Sequence, residues 1–528
     1  MQWRLCHLFV WGAIVSTIAC SASFTVPPPP PVIGWFNISA AEVSDLSSCG
    51  DFPVCVNYEA QALAFSISGI VNRGIPRLML DTGSMNYDAP QSDAIWKVHF
   101  ETEKKFSFVT ITPDICALVE YFYGELSGTA VMYESDGWSV HLAMTTCALF
   151  GTLPVSQQLL RRYPCLASLA ASRSIPQFSS RAQAYEWAIH SLLPLTSFDI
   201  VFNANFYPTN TRQALMSVDY PIRQRAFIMN IQPCWEMIGS PPCNSSQVSD
   251  TLLFTSILRS RNNLVNVWGW SDPEHAYTNV TTHAGGAVFC TFSTSNLAFW
   301  AAVANWSGSK GAPVPHHSRT HVYPEGDAVY IAFETNEGDT PRILTSQFLS
   351  QWMSPRRGSV PVAWAVDPML GGGFGFPSAL VSLELNIIHF LDLFPDLWNF
   401  FVETSMANDS FVAGVGGICK VPFAQVTIIP GVDGAGYIYV PELGSNARAY
   451  EERAANYMSR YNIGVVDVGI ANIDYPATTL QQVLLWRSHT SPLPVFTPLS
   501  VTRVPEYRRR CRISLLQRVW QCLGPALS

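Results

Sequence analysis

Charge is what this 528-residue chain has least of: Asp, Glu, Lys and Arg together make up 13% of it. That is about half the share usual in a soluble domain, so Ser, Thr and Asn are expected to cover much of the surface. The few charges sum to −8 and form no basic stripe in the body of the chain, which excludes nucleic acid as the expected partner. No Gly-x-Gly-x-x-Gly follows a strand-like run, so no dinucleotide site is expected. None of the 13 cysteines is spaced Cys-x-x-Cys and no His/Cys spacing suits zinc, so neither a metal nor another cofactor is expected. The apolar stretch Leu380–Phe401 carries Glu384, His389 and Asp392 and so does not read as a membrane span.

What the chain does have is apolar mass, 48% of its residues, and a length that suggests two to four domains. Arg4, the apolar run Leu8–Ala19 and the small residues Cys20-Ser21-Ala22 read as a secretory signal over 1–22. The run is shorter than the roughly 20 residues of a span, so cleavage is expected, with no transmembrane segment remaining. Asn-x-Ser/Thr sequons at Asn37, Asn244, Asn279, Asn305 and Asn408 fit a secreted, cell-surface or extracellular glycoprotein. Cys49 with Cys55 and Cys234 with Cys243 are close pairs able to staple loops in an oxidising compartment.

Residues 23–54 read as a Pro-rich linker, stiffest over Pro27–Pro31. Residues 55–180 read as an α/β domain, with its first ordered segment at Tyr58–Leu80. There a helix leads through a turn into the strand Arg77–Leu80. Strands Phe106–Val109 and Gly128–Tyr133 then alternate with helices Asp114–Tyr123, capped by Asp114, and Val140–Leu149. Residues 181–322 repeat the logic with a helix Ala182–Leu193 and strands Ser197–Phe202, Ile228–Ile231 and Val267–Trp270. Such alternation predicts parallel sheets. Trp270, Ser271, Asp272, Pro273, Glu274 and His275 would then deliver an aromatic ring and an acid from a strand end into a cleft. A plain turn with Asp272 as a helix cap is the alternative.

A third unit, 323–480, begins with the strand Ala328–Phe333, which runs into Glu334-Thr335-Asn336-Glu337-Gly338-Asp339. Glu337 and Asp339, two apart on extended backbone, would share a face. Val360–Val366 is a second buried strand, ending at Asp367. A helix interval from Leu380 is interrupted near Pro395, and strands Asn408–Val415 and Asn462–Val468 follow. The rhythm suggests a (β/α) TIM-barrel-like domain, whose reactive groups sit at the C-terminal strand ends. It falls short of the about 250 residues of a full barrel and is expected to be incomplete. Residues 481–528 read as a solvated basic tail, with Arg508, Arg509, Arg510, Arg512 and Arg518.

The stretch Asp433-Gly434-Ala435-Gly436-Tyr437-Ile438-Tyr439-Val440-Pro441-Glu442 sets two glycines and two tyrosines beside two carboxylates. Tyrosine offers an apolar face and a polar tip, the complement of a sugar ring, and glycine lets the backbone approach it. A turn before an edge strand is the plainer reading of these residues. Preceded by Asn408-Asp409-Ser410-Phe411-Val412-Ala413-Gly414, the stretch resembles the family of candidate glycoside hydrolases named for its GxGYxYP motif. Residues 69–73, 76–78, the Gly269-Trp270 segment and Glu337–Asp339 resemble further parts of that family. This chain carries one extra residue, Val440, before the proline and a block 416–432 between the motif halves, read as an inserted surface excursion.

The resemblance implies a glycosidase. That chemistry needs two carboxyl groups, one protonated as acid and one acting as nucleophile or base. Asp339, Glu337 and Glu274 are the catalytic candidates. Asp433, Gly434, Gly436, Tyr437, Tyr439, Trp270, Trp364, Asp367 and Asp409 are candidates for binding a carbohydrate. A carbohydrate-binding or surface glycoprotein without turnover is the alternative.

Overall fold

The computed structural model describes residues 29–41, 55–312, 333–335, 342–366 and 394–413, apart from 86–88, 206–214, 236–241, 262–263, 272–273, 292–293, 361 and 407–408. The chain opens with β1 (Val32–Asn37), α1 (Val56–Val71), β2 (Leu78–Asp81), α2 (Ser92–Thr102), β3 (Ser107–Ile111) and α3 (Ile115–Tyr121). It continues through β4 (Thr129–Tyr133), α4 (Ser139–Phe150), β5 (Leu153–Ser156), α5 (Gln157–Arg162), β6 (Ala170–Ser174) and α6 (Arg181–Ser191). Next come β7 (Ile200–Asn205), α7 (Asp219–Arg223), β8 (Phe227–Met229), α8 (Ser245–Arg259), β9 (Val265–Ser271), α9 (Glu274–His283), β10 (Gly286–Phe289) and α10 (Leu297–Ser307). The last described elements are β11 (Phe333–Thr335), α11 (Arg342–Thr345), α12 (Gln347–Trp352), β12 (Val362–Val366), α13 (Pro395–Glu403) and β13 (Asp409–Ala413).

The fold is α/β with parallel sheets, as the alternation predicts. The described strands form four sheets, ordered β2-β1-β3, β5-β4-β6, β10-β9-β7-β8 and β11-β12-β13. Every strand pair in them is parallel. Helix α1 stands at the centre and is buried from Tyr58 to Val71, the condition of a helix apolar nearly all round. It packs against α4, α7, α10 and β5. Gly69 permits the α7 crossing: a Cβ there would lie 2.5 Å from the Asp219 carbonyl oxygen and 2.7 Å from the Ile222 Cβ.

Among the described residues, one hydrophobic core runs from Ile33 to Val402. The C-terminal part is tied down by polar contacts. Lys104 pairs with Asp396, whose carboxylate also accepts from Ser307 Oγ (3.1 Å) and Ser309 Oγ (3.0 Å), and Trp96 donates its indole N–H to the Thr345 carbonyl (2.9 Å).

One expectation changes. The Pro-rich stretch does not stay a linker to residue 54: Val32–Asn37 is the central strand of the first sheet, so order begins well before Tyr58. Pro395 opens α13 at its first turn, where its missing N–H costs nothing; the expected helix interval before it, from Leu380, lies outside the described residues. Of the expected barrel-like domain, the described strands form a three-stranded parallel sheet; the expected strand Asn462–Val468, the block 416–432 and the basic tail lie outside the described residues. The expected Cys234–Cys243 disulfide is present, Cys116–Cys165 is a second, and Cys55 is also disulfide-bonded.

Candidate functional site

Parallel strands present their C-terminal ends together, and ligands of open α/β sheets bind in the crevice outside those ends, where strand order reverses. In the third sheet the reversal falls between β7 and β9, since β8 lies to one side of β7 and β9 to the other. Here Asn203 pairs with Gly269 and Asn205 with Ser271. Gly269 takes φ +98°, and a Cβ on it would lie 2.2 Å from the Asn203 carbonyl oxygen, so only glycine fits. Its N–H donates to Thr291 Oγ1 (3.0 Å), which is bonded in turn to Ser217 Oγ (2.8 Å). The Asn203 carboxamide exchanges two bonds with the main chain of Ile231 (2.9 Å each), fixing the start of the loop after β8. Ser271 Oγ and Thr294 Oγ1, both buried at this edge, have no partner.

The loop after β10 carries this edge across to the first sheet. Asn296, with φ +62°, accepts from the Leu80 N–H (2.7 Å) and donates to the Leu80 carbonyl (2.8 Å). Its amide also donates to Asp93 (3.0 Å), as do Ser295 Oγ (2.7 Å), the Thr82 N–H (2.9 Å) and the Thr82 hydroxyl. Four donors satisfy the buried Asp93, yet burial still raises its pKa. Next to Thr82 stands Asp81, half-buried at the end of β2 and in register with Asn37 at the end of β1. Burial pushes Asp81 up to about 6; repulsion from Asp93 adds to this and the Gly83 N–H opposes it. A partly accessible carboxyl that titrates close to neutrality is suited to general acid or base work.

Of the residues singled out in the sequence, Glu274 opens α9, three positions after the end of β9. Trp270 lies on β9 and is 7% exposed, edge-on to Tyr277. Trp364 is 4% exposed on β12 and packs against Phe348 and Trp352. Both indoles are therefore core groups in this conformation and not open platforms for a sugar. Asp409 begins β13 and pairs with Val362, the first residue of β12. It thus sits at the N-terminal edge of that sheet, opposite the end that leads to Asp367. Glu337, Asp339, Asp367, Asp433, Gly434, Gly436, Tyr437 and Tyr439 lie outside the described residues. Asp81 and Asp93 were missed, although Asp81 carries the signal used for Asp339: an acid closing an apolar strand, with a glycine close by.

Among the described residues, no group of three or more His, Cys, Asp or Glu side chains could hold a metal ion, and no helix is long and apolar enough to cross a membrane. The geometry defines a parallel α/β chain with polar groups gathered at its strand ends. Among solved structures it is similar to "a putative hydrolase" from Bacteroides thetaiotaomicron VPI-5482, at 14% identity and a TM-score of 0.60, over 87% of this chain and 74% of that one. That likeness bears on fold alone. No family model and no curated protein matches the chain.

Proposed function

We propose that this chain is a secreted or cell-surface hydrolase that cleaves glycosidic bonds with paired carboxyl groups. The observation that carries the reading is the parallel β11–β12 pair. In sequence, β11 ends at Thr335 just before Glu337 and Asp339, and β12 ends at Val366 just before Asp367. Carboxylates that follow the C-terminal ends of parallel strands are where such folds collect reactive groups. The resemblance of 433–442 to the GxGYxYP motif supplies the substrate class, with Tyr437 and Tyr439 contacting the sugar. The α/β likeness to a protein described as a hydrolase is in keeping with it.

In this reading Asp339 acts with Glu337, one protonated and one ionised. Glu274 follows a strand of a different sheet from Asp339 and is the second choice of partner. The test is release of reducing ends from a panel of polysaccharides and glycoprotein glycans. Asp339→Asn keeps the side-chain shape and removes the titrating group, so turnover should fall by about 10²–10⁴ while sugar binding is retained. Unchanged turnover in Asp339→Asn overturns the assignment. Asp81→Asn in the same assay reports whether the first-sheet edge supplies a proton. Binding of a glycan without release of reducing ends by the parent chain would establish the non-catalytic carbohydrate-binding alternative.

A further inference from the structure

The sequons are not equivalent once the chain is folded. Asn37, Asn244, Asn279 and Asn305 fall among the described residues. Asn244 is exposed and caps α8: its Oδ1 accepts from the Gln247 N–H (2.9 Å), and the Gln247 carboxamide accepts from the Asn244 N–H (3.1 Å). The cap uses the oxygen and the main chain of Asn244 and does not use Nδ2, the atom that carries an N-glycan. Asn305 is exposed near the C-terminal end of α10. Asn279 differs on every count. It is 2% exposed, its sequon partner Thr281 is fully buried, and α9, which bears both, packs on β9 and β10. The Asn279 Oδ1 is buried without a partner, so its surroundings offer no solvent. Asn37 is half-buried, with Oδ1 accepting from Ser39 Oγ (2.8 Å) and the Ala40 N–H (2.8 Å), and is left outside the assignment.

We infer that the folded protein carries N-linked glycans on Asn244 and Asn305 and none on Asn279. The reaction requires a lipid-linked oligosaccharyl diphosphate as donor. The asparagine Nδ2 forms a bond to the anomeric carbon of the donor and loses a proton. The anomeric C–O bond breaks and its electron pair leaves with the lipid diphosphate. Attachment to Nδ2 of Asn244 leaves Oδ1 in place as an acceptor, so the α8 cap survives modification. A glycan on Asn279 would have to fit inside a close-packed interior, so chains modified there do not reach the native state. The assignment rests on the reading of the chain as one that enters a glycosylating compartment.

The test separates the two questions. The full chain is expressed in eukaryotic cells with and without an added secretion signal, and secreted, folded material is deglycosylated in heavy-oxygen water, so that each occupied Asn becomes a labelled Asp. With the added signal, the label should appear at Asn244 and Asn305 and be absent at Asn279. Asn244→Asp, which keeps the cap, and Asn305→Gln should each remove one glycan's worth of mass on a gel. Label at Asn279, or its absence at Asn244 or Asn305, overturns the assignment. Label at both sites only when the added signal is present supports the assignment and counts instead against a signal at residues 1–22.

Discussion

The Asn296 side chain stands in for a strand at the edge of the first sheet: its carboxamide satisfies both the N–H and the carbonyl of Leu80, 216 residues away in sequence. The same amide reaches Asp93, so one side chain holds β2, α2 and the start of α10 together. Asn296→Gly keeps the left-handed backbone and removes the carboxamide, leaving two buried main-chain groups without a partner and Asp93 with one donor fewer, its Oδ1 still held by Ser295. Stability should fall by about 2–4 kcal/mol, each orphaned group costing about 1–3 with partial relaxation. Asn296→Ala should fall further, since it also strains φ. Urea unfolding with unchanged midpoints for both variants would remove Asn296 from this role.

Gly269 is the second fixed point. Any Cβ there collides with the main chain of the neighbouring strand rather than with a movable side chain, so the strand pair must separate to accept one. Gly269→Ala is expected to cost about 3 kcal/mol or more, the sum of backbone strain and lost β7–β9 contact. A soluble Gly269→Ala protein with the parental melting temperature would show that the β7–β9 junction tolerates a side chain.

The Cys116–Cys165 bridge closes a loop with a sequence separation of 49, joining α3 to the segment after α5. Chain entropy alone gives such a loop about 4 kcal/mol of stabilisation. Cys116→Ala, or reduction under native conditions, should lower the unfolding midpoint accordingly. Reduction of Cys234–Cys243, separated by 9 residues, should cost less. Equal effects from the two would contradict the loop-length argument.

How much of this was legible in the sequence depends on where the information lay. Local signals read true. Asp114 accepts from the Ala117 N–H as the expected cap, and the helix–turn–strand of Tyr58–Leu80 is present. The Cys234–Cys243 pair was readable because only nine positions separate it, whereas nothing local marks Cys116 and Cys165 as partners. β1 was hidden because its six residues follow directly on prolines; its two neighbours in the sheet make it a strand. Trp270 and Trp364 looked like sugar platforms because an indole has the same composition whether it faces a ligand or the core. The Asp81–Asp93 pair joins a strand end to the first turn of the next helix, and its meaning appears only when Ser295 and Asn296 arrive from the far side of the chain.

The stability of the fold should depend on pH through Asp219. Asp219 is buried at the start of α7 and accepts from the N–H groups of Tyr220 (2.8 Å) and Ala298 (3.0 Å). Burial pushes it up to about 7; those N–H groups and the Ser68 hydroxyl oppose the rise without cancelling it. In the unfolded chain the same carboxyl titrates at about 3.9. The folded state therefore binds this proton more tightly, and its contribution to stability is complete below about pH 4 and lost as pH rises to about 7. Over that window one such group changes unfolding free energy by at most about 1.4 kcal/mol per pH unit. Asp81, raised to about 6, acts in the same direction over a narrower range. Asp219→Asn cannot titrate. It should be the less stable protein at pH 4.5, having lost one acceptor, and the gap to the parent should narrow steadily up to pH 7.5. Urea midpoints at several pH values across this range give the comparison directly. Parallel curves for parent and variant would mean that Asp219 is ionised throughout and that its main-chain donors outweigh its burial.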